Sequence, residues 1–314
     1  MSVPAISVVM PCFNAQAHLP MSVASVMAQT CEDWELIAVD DGSTDGSLAW
    51  LQSQTDPRIR WLTQSNSGVS GARNAGVAIA RGKFLAFLDA DDTWQPDFLL
   101  TMLRALEAHP DAVLAYCGWQ NVGLAGPRGK PFVPPELNGP HKEERLFGGC
   151  QWPVHAALVR RAAVLSAGGF SARLKNAEDY ALWLAVAAQR PVVRVPEVLA
   201  RYHFHGQTQA SANKARAALH FLDAQTVYIA THPTFAKSLG RKMVRTLTLG
   251  TLLGRGYESY WSRDLEAARS IFRVVMKHGY GSARDWKYML PALLPLDWHR
   301  RLVYELSSKQ KRDN

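Results

Sequence analysis

Short apolar runs alternate with helix-like segments through residues 1–118, and this alternation constrains the fold more than any other feature of the sequence. The apolar runs have the composition of buried strands, whereas the segments between them have helical periodicity. Strands that alternate with helices predict a mostly parallel sheet, covered by helices on both faces. We expect five strands in this part: Ala5–Met10, Trp34–Asp40, Arg58–Thr63, Lys83–Asp89 and Ala112–Cys117.

The remainder of the chain has a different pattern. Residues 119–150 are rich in glycine and proline, which predicts an irregular surface segment. A helix is expected over Asn176–Arg190, followed by a strand, and from residue 211 onward the pattern is largely helical. The sequence therefore predicts an α/β fold with a C-terminal helical extension, in three parts: 1–118, 119–210 and 211–314.

The net charge of +8 is concentrated in the last third of the chain. Residues 211–314 contain 18 Lys and Arg against 8 Asp and Glu, whereas residues 1–210 contain 17 against 19. Such asymmetry indicates an anionic partner for the basic part. One hypothesis is peripheral contact with anionic lipid. The alternative is that these helices only pack together and expose a solvated basic face.

The sequence shows none of the usual signals of membrane insertion or secretion. No uncharged apolar run approaches the ~18–20 residues that span a bilayer, and the N-terminus lacks the basic region of a signal peptide. The four cysteines have no metal-binding spacing, which is typical of reduced thiols in a cytosolic protein. We therefore expect a cytoplasmic protein, with the inner face of the membrane as the site of peripheral contact.

Polar segments follow four of the predicted strands: "PCFNA", "DDGSTD", "NSGVSGARN" and "DADD". Ligands of an open parallel sheet bind beyond the carboxyl ends of the strands, so these segments should meet at one edge. The last segment, Asp89–Asp92, contains three carboxylates, which repel one another unless a cation neutralises them. Carboxylates, water and phosphate oxygens are the usual ligands of Mg²⁺ or Mn²⁺. The sequence therefore predicts a divalent cation that carries a nucleoside diphosphate.

Other nucleotide and nucleic-acid sites fit the sequence less well. There is no G-x-x-x-x-G-K-[ST], and no G-x-G-x-x-G follows the first strand, which excludes a P-loop and a dinucleotide-binding Rossmann site. A nucleotidyltransferase usually has a glycine-rich, basic first loop, whereas the first loop here is "PCFNA". A nucleic-acid partner is disfavoured because the acidic cluster would repel its phosphates.

Five motifs resemble those of glycosyltransferase family 2 in their order and approximate spacing: "VVMPCFNA", "VDDGSTDGS", "NSGVSGARNAG", "FLDADD" and "EDYALWL". The resemblance covers roughly residues 5–210 and none of the C-terminal third. It implies an inverting, nucleotide-sugar-dependent enzyme with the GT-A fold. Residues 1–118 would then be the nucleotide-sugar-binding half of one domain, and residues 119–210 the half that holds the acceptor and the catalytic base.

For the donor, the resemblance implies that Asp40 accepts a hydrogen bond from the base, commonly from N3–H of uracil. Asp89 and Asp91 match the D-x-D motif, in which Asp89 contacts ribose or sugar and Asp91 binds the metal. His203 is the expected neighbour of the metal or the diphosphate, with His205 as the alternative. Arg73 would support the diphosphate or the acidic loop, Asp89–Asp92. The remaining candidates for the donor site are Pro11, Phe13, Asn14 and Asp41.

For catalysis, the resemblance implies that Asp179 is the general base that deprotonates the acceptor hydroxyl. Glu178 and Asp92 are further candidates for the acidic site. The residues alone leave other roles open. Glu178 and Asp179 also fit the first turn of a helix, where carboxylates favour the helix dipole. Asp40 and Asp41 also fit a turn with Gly42 that caps the following helix through Ser43 or Thr44, and Asp92 also fits the cap of a turn.

The implied function is sugar transfer, preferably from a UDP-sugar, to a hydroxyl of a glycan or a lipid-linked glycan. The implied cofactor is a divalent cation, Mn²⁺ or Mg²⁺, and the implied setting is bacterial cell-surface polysaccharide synthesis. The alternatives are an inactive sugar-nucleotide-binding relative and a nucleotidyltransferase. The presence of both the D-x-D motif and the E-D pair argues against the inactive relative.

Overall fold

The computed structural model describes residues 3–205 and 213–310, with only the backbone described for residues 304–310. The chain divides into two compact units, Met1–Thr208 and Gln209–Asn314. The first unit is an α/β domain and the second is helical. Each unit is described by itself below.

An eight-stranded sheet with the order β3-β2-β1-β4-β7-β6-β8-β5 forms the centre of the first unit. β1 pairs in parallel with β2 and β4, β2 with β3, and β6 with β8, whereas β4–β7, β6–β7 and β5–β8 are antiparallel. The expected mostly parallel sheet is therefore confirmed. The strands are β1 Ile6–Cys12, β2 Trp34–Asp40, β3 Ile59–Thr63, β4 Phe84–Phe87, β5 Thr93–Trp94, β6 Leu114–Val122, β7 Ala157–Arg160 and β8 Val192–His203.

Seven α-helices accompany the sheet in the described part of this unit, and they flank it as expected. Every residue of β1, β2 and β4 is buried, which is the pattern of a parallel sheet covered on both faces. The helices are α1 Leu19–Met27, α2 Ser47–Gln52, α3 Gly68–Ile79, α4 Phe98–Ala108, α5 Lys142–Gly148, α6 Arg161–Ser166 and α7 Glu178–Ala187.

Helix α3 lies unusually close to the sheet because Gly76 faces it. A Cβ atom at Gly76 would lie 2.5 Å from Cγ1 of Val9 and 3.3 Å from Cγ2 of Val39. Any larger residue would therefore push the helix away from β1 and β2. Since α3 also carries Arg73, this close packing fixes the position of an arginine that belongs to the candidate site.

The segment 119–150 is more ordered than its composition suggests. β6 continues to Val122, and α5 buries Leu146 and Phe147, so the expectation of an irregular surface segment was wrong in these places. The sequence pattern predicts that the strand ends at Cys117, because the next residue is Gly118. In the structure Gly118 lies at a register shift between β6 and β8, and β6 continues beyond it. A Cβ atom there would lie 2.7 Å from the carbonyl oxygen of Phe132.

The second unit is helical throughout its described residues, and the C-terminal helical extension is confirmed. Its core is apolar and includes Leu252, Ile271, Phe272 and Met289. Among the described residues, no helix has both the length and the apolar character needed to cross a bilayer. The helices are α8 Lys214–Thr231, α9 Pro233–Arg245, α10 Thr251–Trp261, α11 Leu265–Lys277, α12 Ala283–Met289 and α13 Leu296–Gln310, with a π-helix over Thr246–Gly250 and a 3-10 helix over Leu290–Leu293.

Candidate donor and catalytic site

Asp40 is the last residue of β2 and is almost fully buried, with 1% of its surface exposed. Its Oδ2 accepts a hydrogen bond from the Thr63 hydroxyl at 2.9 Å, and its Oδ1 accepts one from the Ser43 N–H at 3.3 Å. A carboxylate oxygen has two lone pairs, so both oxygens retain the capacity to accept another hydrogen bond. The structure thus holds a rigid acceptor at the end of the sheet.

Asp41 shapes the loop that precedes α3. Its Oδ1 accepts a hydrogen bond from the Ser67 N–H at 2.9 Å, and its Oδ2 accepts one from the Gly68 N–H at 2.8 Å. These amides belong to the first turn of α3, whose N–H groups have no partners within the helix. Asp41 therefore caps α3 from a distant part of the chain, a role that differs from the turn with Gly42 considered above.

The first loop is joined to the loop after β2 through Asn14. Its Oδ1 accepts a hydrogen bond from the Thr44 N–H at 2.8 Å, and its own N–H donates to the Ser43 hydroxyl at 3.0 Å. Asn14 has a φ of 49°, a conformation that asparagine tolerates better than most residues. Of its neighbours, Pro11 is buried within β1, whereas Phe13 is 52% exposed and available to a ligand.

Arg73 connects two acidic segments of the site. Its guanidinium is 2% exposed and donates to Asp89 Oδ1 at 2.6 Å and to Glu178 Oε1 at 2.7 Å. Burial alone would lower the pKa of Arg73, but the two carboxylates outweigh it and raise the pKa above its usual value. Breaking such a buried pair leaves an uncompensated charge, so the guanidinium holds the loop after β4 against the start of α7.

Asp92 is the last residue of the acidic loop, and its side chain is fully buried. Its Oδ1 accepts a hydrogen bond from the His203 N–H at 2.9 Å, and its Oδ2 lies 3.1 Å from Nδ1 of His155. Burial, together with Asp89 and Asp91, raises the pKa of Asp92 well above its usual value. Burial also lowers the pKa of His155 to about 4. Both shifts have burial as their first cause and favour the uncharged forms of the two groups.

His203 ends β8 beside the acidic loop. Its Nε2 lies 2.9 Å from the hydroxyl oxygen of Thr93. Burial lowers its pKa, and so do the neighbouring His205, Arg201 and His18. The ring of His205 stacks on His18, with 3.9 Å between ring centres, and is 6.4 Å from the ring of His203. Both histidine candidates thus lie at the same edge.

Asp179 lies in the first turn of α7, next to Glu178. Burial raises its pKa to about 7, and the charge of Glu178 contributes to the shift. Its Oδ1 accepts a hydrogen bond from the Tyr180 N–H at 2.7 Å. Ala177, directly before the helix, has a φ of 59°, an unfavourable conformation for a residue with a Cβ atom. Strain of this kind is often found at functional sites.

The carboxylate oxygens at this edge suit a hard divalent cation whose remaining ligands come from a bound diphosphate and water. Asp91 and Asp89 are partly exposed carboxylates two residues apart. Within residues 3–205 and 213–310, no group of three or more His, Cys, Asp or Glu side chains forms a metal-binding cluster. Mg²⁺ and Mn²⁺ commonly use one or two carboxylates together with water and phosphate oxygens. The residues present fit a cation that binds with a diphosphate.

The structure brings five of the predicted residues into contacts with one another, and it adds two neighbours that sequence reasoning missed. Arg73, Asp89 and Glu178 are in direct contact, and Asp92 contacts the backbone of His203. His155 and Thr93 were missed. No motif surrounds His155, which follows the glycine- and proline-rich segment. Thr93 directly follows the "DADD" segment, and its position there was the only available signal.

Comparison with known proteins identifies the family of this chain. The model of the family described as "Glycosyl transferase family 2" matches residues 7–158. An uncharacterized glycosyltransferase of Haemophilus influenzae is 30% identical over 224 residues, which are 66% of this chain and 68% of that protein. The chain therefore belongs to glycosyltransferase family 2.

Two further relatives have more specific names. The O-antigen biosynthesis protein RfbC of Myxococcus xanthus is 33% identical over 217 residues, 67% of this chain and 16% of that protein. The Escherichia coli protein named UDP-Glc:alpha-D-GlcNAc-diphosphoundecaprenol beta-1,3-glucosyltransferase WfgD is 28% identical over 212 residues, 67% of this chain and 80% of its own length. The chain spans only 16–30% of the length of three curated relatives, among them RfbC.

Solved structures with the same fold are glycosyltransferases of the GT-A type. S. aureus TarS 1-349 in complex with UDP-GlcNAc has a TM-score of 0.57 at 16% identity, covering 97% of this chain and 92% of that one. The mannosyltransferase PcManGT from Pyrobaculum calidifontis, in complex with GDP-Man and Mn²⁺, has a TM-score of 0.58 at 18% identity, covering 97% and 84%. These similarities establish the GT-A fold.

Proposed function

We propose that this protein transfers a sugar from a UDP-sugar to a hydroxyl of a glycan acceptor, with inversion at the anomeric carbon and with a divalent cation. One observation carries the proposal. Arg73 is buried between Asp89 of the acidic loop and Glu178, the neighbour of the candidate base. The guanidinium joins the acidic loop to the start of α7, the helix that carries the candidate base, which supports a site that holds the sugar donor and the base together.

In this proposal Asp40 binds the nucleobase of the sugar nucleotide. Both of its oxygens are held by Thr63 and Ser43, so it presents a fixed acceptor to the N3–H of a pyrimidine. UDP is therefore favoured, and dTDP offers the same N3–H group. WfgD bears a UDP-sugar in its name, and TarS was solved with UDP-GlcNAc, which supports UDP. PcManGT was solved with GDP-Man, so GDP belongs in any test.

Asp179 acts as the general base in the proposed reaction. Its carboxylate takes the proton of the acceptor hydroxyl while the acceptor oxygen forms a bond to the anomeric carbon. The bond between that carbon and the diphosphate oxygen breaks, and the nucleoside diphosphate leaves with the electron pair. A pKa of about 7 suits this role because a base is most effective when its pKa is near the working pH.

Asp91 and His203 would hold the cation, either Mn²⁺ or Mg²⁺. When bound, the cation would supply positive charge for the departing diphosphate. Asp92 and His155 lie behind these residues and hold the backbone of the acidic loop and of β8 in place. The Mn²⁺ in the structure of PcManGT supports a divalent cation.

The proposed acceptor is a glycan, carried in the simplest case on a lipid diphosphate. WfgD is named for such an acceptor, and RfbC is named for O-antigen biosynthesis. An acceptor of this kind is available at the cytoplasmic face of a membrane, so we place the enzyme in the cytoplasm, with peripheral membrane contact through its basic second unit. Bacterial cell-surface polysaccharide synthesis is the proposed setting.

Calorimetric titration with UDP, dTDP, GDP and ADP, each in Mn²⁺ and in EDTA, tests the donor site. We expect UDP to bind in Mn²⁺ and to lose most of its affinity in EDTA. Asp91→Asn should reproduce the loss, whereas Asp111→Asn, which changes an exposed carboxylate, should bind as the parent does. Failure of all four nucleotides to bind would contradict the proposal. Binding without UDP release from any UDP-sugar and acceptor would favour the inactive relative.

A further inference from the structure

We propose that an apolar turn in the second unit docks onto an anionic lipid bilayer. The turn surface consists of Leu290, Leu293 and Trp298, which are 49%, 57% and 65% exposed. Leu290 and Leu293 are the ends of a 3-10 helix, in which residues three apart lie on the same side. The two leucines therefore project together, and the tryptophan follows five residues later in α13.

Two arginines of α11 hold this turn in place. The Arg269 guanidinium donates to the carbonyl oxygens of Ala292 and Leu294 at 3.0 and 2.6 Å. The Arg273 guanidinium donates to those of Ala292 and Leu293 at 2.9 and 3.2 Å. The polar backbone of the turn is thus satisfied from within the unit, while its leucine side chains remain in solvent. The same contacts place two cations directly beside the apolar surface.

The charge of the chain segment that contains the turn surface favours one kind of partner. Residues 269–303 contain seven Lys and Arg and only two acids, Asp285 and Asp297. Basic groups next to exposed leucine and tryptophan are typical of surfaces that bind anionic lipid head groups while their apolar side chains enter the interface. Tryptophan in particular prefers the boundary between lipid and water. An anionic bilayer therefore matches both the apolar and the charged parts of this surface.

A second copy of the chain matches less well. In a two-fold symmetric dimer the same patch faces itself, so the cations of residues 269–303 would lie opposite their own equivalents. Like charges across an interface oppose association. The observations therefore favour lipid binding over self-association. The proposal assigns the membrane contact suggested above to the turn surface. Only its biological purpose, access to a lipid-linked acceptor, rests on the proposed function.

Co-sedimentation of the full-length protein with vesicles tests the proposal. One set of vesicles is an equimolar mixture of phosphatidylglycerol and phosphatidylcholine, and the other is phosphatidylcholine alone. We expect binding to the anionic vesicles that weakens with added salt, and little binding to the neutral ones. The double variant Leu293→Ser with Trp298→Ser should lose about tenfold or more in affinity, because both side chains leave the interface.

A matched control and a second measurement keep the outcome interpretable. Val227→Ser removes an apolar side chain that is 63% exposed in α8, outside the turn surface, and should bind vesicles as the parent does. Thermal unfolding shows whether each variant is folded. Equal binding by the double variant and the parent would overturn the proposal. So would a concentration-dependent dimer that the double variant abolishes.

The donor-binding titration separates this proposal from the proposed function. The double variant should bind UDP with Mn²⁺ as the parent does, because the turn surface lies in the second unit and the donor residues lie in the first. Vesicle binding without nucleotide binding would leave the membrane proposal standing and remove the transferase proposal. If the parent protein binds nucleotide but does not bind anionic vesicles, the membrane proposal is wrong and the transferase proposal stands.

Discussion

The α/β unit and the helical unit use charged residues in opposite ways. In the α/β unit, Asp40 and Asp41 are buried where β2 ends, and specific donors bind both oxygens of each carboxylate. In the helical unit the core is apolar, and most of the cations lie at the surface. A buried charge must be paired and hydrogen-bonded, so its position fixes geometry and points to chemistry. A surface charge constrains only the choice of partner.

The largest expected effect is the loss of turnover in Asp179→Asn. An amide cannot take the proton of the acceptor, and general-base catalysis contributes about 10²–10⁴-fold to rates. Turnover of the UDP-sugar should fall by that factor, while calorimetry should show UDP bound as tightly as before. Asp223→Asn, in the helical unit, is the control and should keep full activity. A turnover unchanged by Asp179→Asn would require another base.

Removal of Arg73 should give the largest loss of stability. Arg73→Met leaves Asp89 and Glu178 without their shared cation, and breaking a buried pair in this way costs about 3–5 kcal/mol. Arg60→Gln is the control, because Arg60 is 38% exposed and its partner Glu35 keeps Arg81. The control should cost less than about 1 kcal/mol. Urea unfolding measures both, and equal losses would show that the guanidinium is not a central connection.

His155→Phe tests the support of the acidic loop. Phenylalanine keeps an aromatic ring at this position but removes the Nδ1 partner of Asp92. Groups that orient metal ligands typically contribute about 10–100-fold to affinity or activity, so the affinity for Mn²⁺ with UDP should fall within that range. His155→Asn, which retains a polar side chain, should be less affected. If both variants bind Mn²⁺ and UDP like the parent, the pair serves folding alone.

The dependence of rate on pH should report the environment of Asp179. Its ionised form acts as the base, so kcat/KM should rise with pH and level off above a midpoint near 7. Glu178 raises this pKa through its negative charge, so Glu178→Gln should move the midpoint to lower pH. A midpoint that does not move, in an active Glu178→Gln enzyme, would show that another group titrates.

The smallest effect is expected in the helical unit. Lys237→Gln removes one exposed cation from α9, and such surface changes usually alter stability by less than about 0.5 kcal/mol. Neither UDP binding nor turnover should change when the acceptor is supplied in solution. A substantial loss of UDP affinity in this variant would break the division of roles between the two units.

Much of the α/β unit could be predicted because its strands and the polar segments after them are recognisable in short stretches of sequence. A buried strand followed by polar residues defines its own end, and the ends of parallel strands share an edge. The sequence therefore predicts one edge for Asp40, Arg73 and Asp89. The strands Ala157–Arg160 and Thr93–Trp94 were missed, since strands of four and two residues have too few positions to show a period.

The sequence by itself determined the fold class, the edge that carries the acids and the basic character of the last third. Only the tertiary structure decided which charges meet. Glu178 is 105 residues from Arg73, and His203 is 111 residues from Asp92, so neither pair leaves a mark in local periodicity. Likewise, the raised pKa values of Asp179 and Asp92 arise first from burial. Burial depends on how distant elements pack, and no short stretch of sequence contains that information.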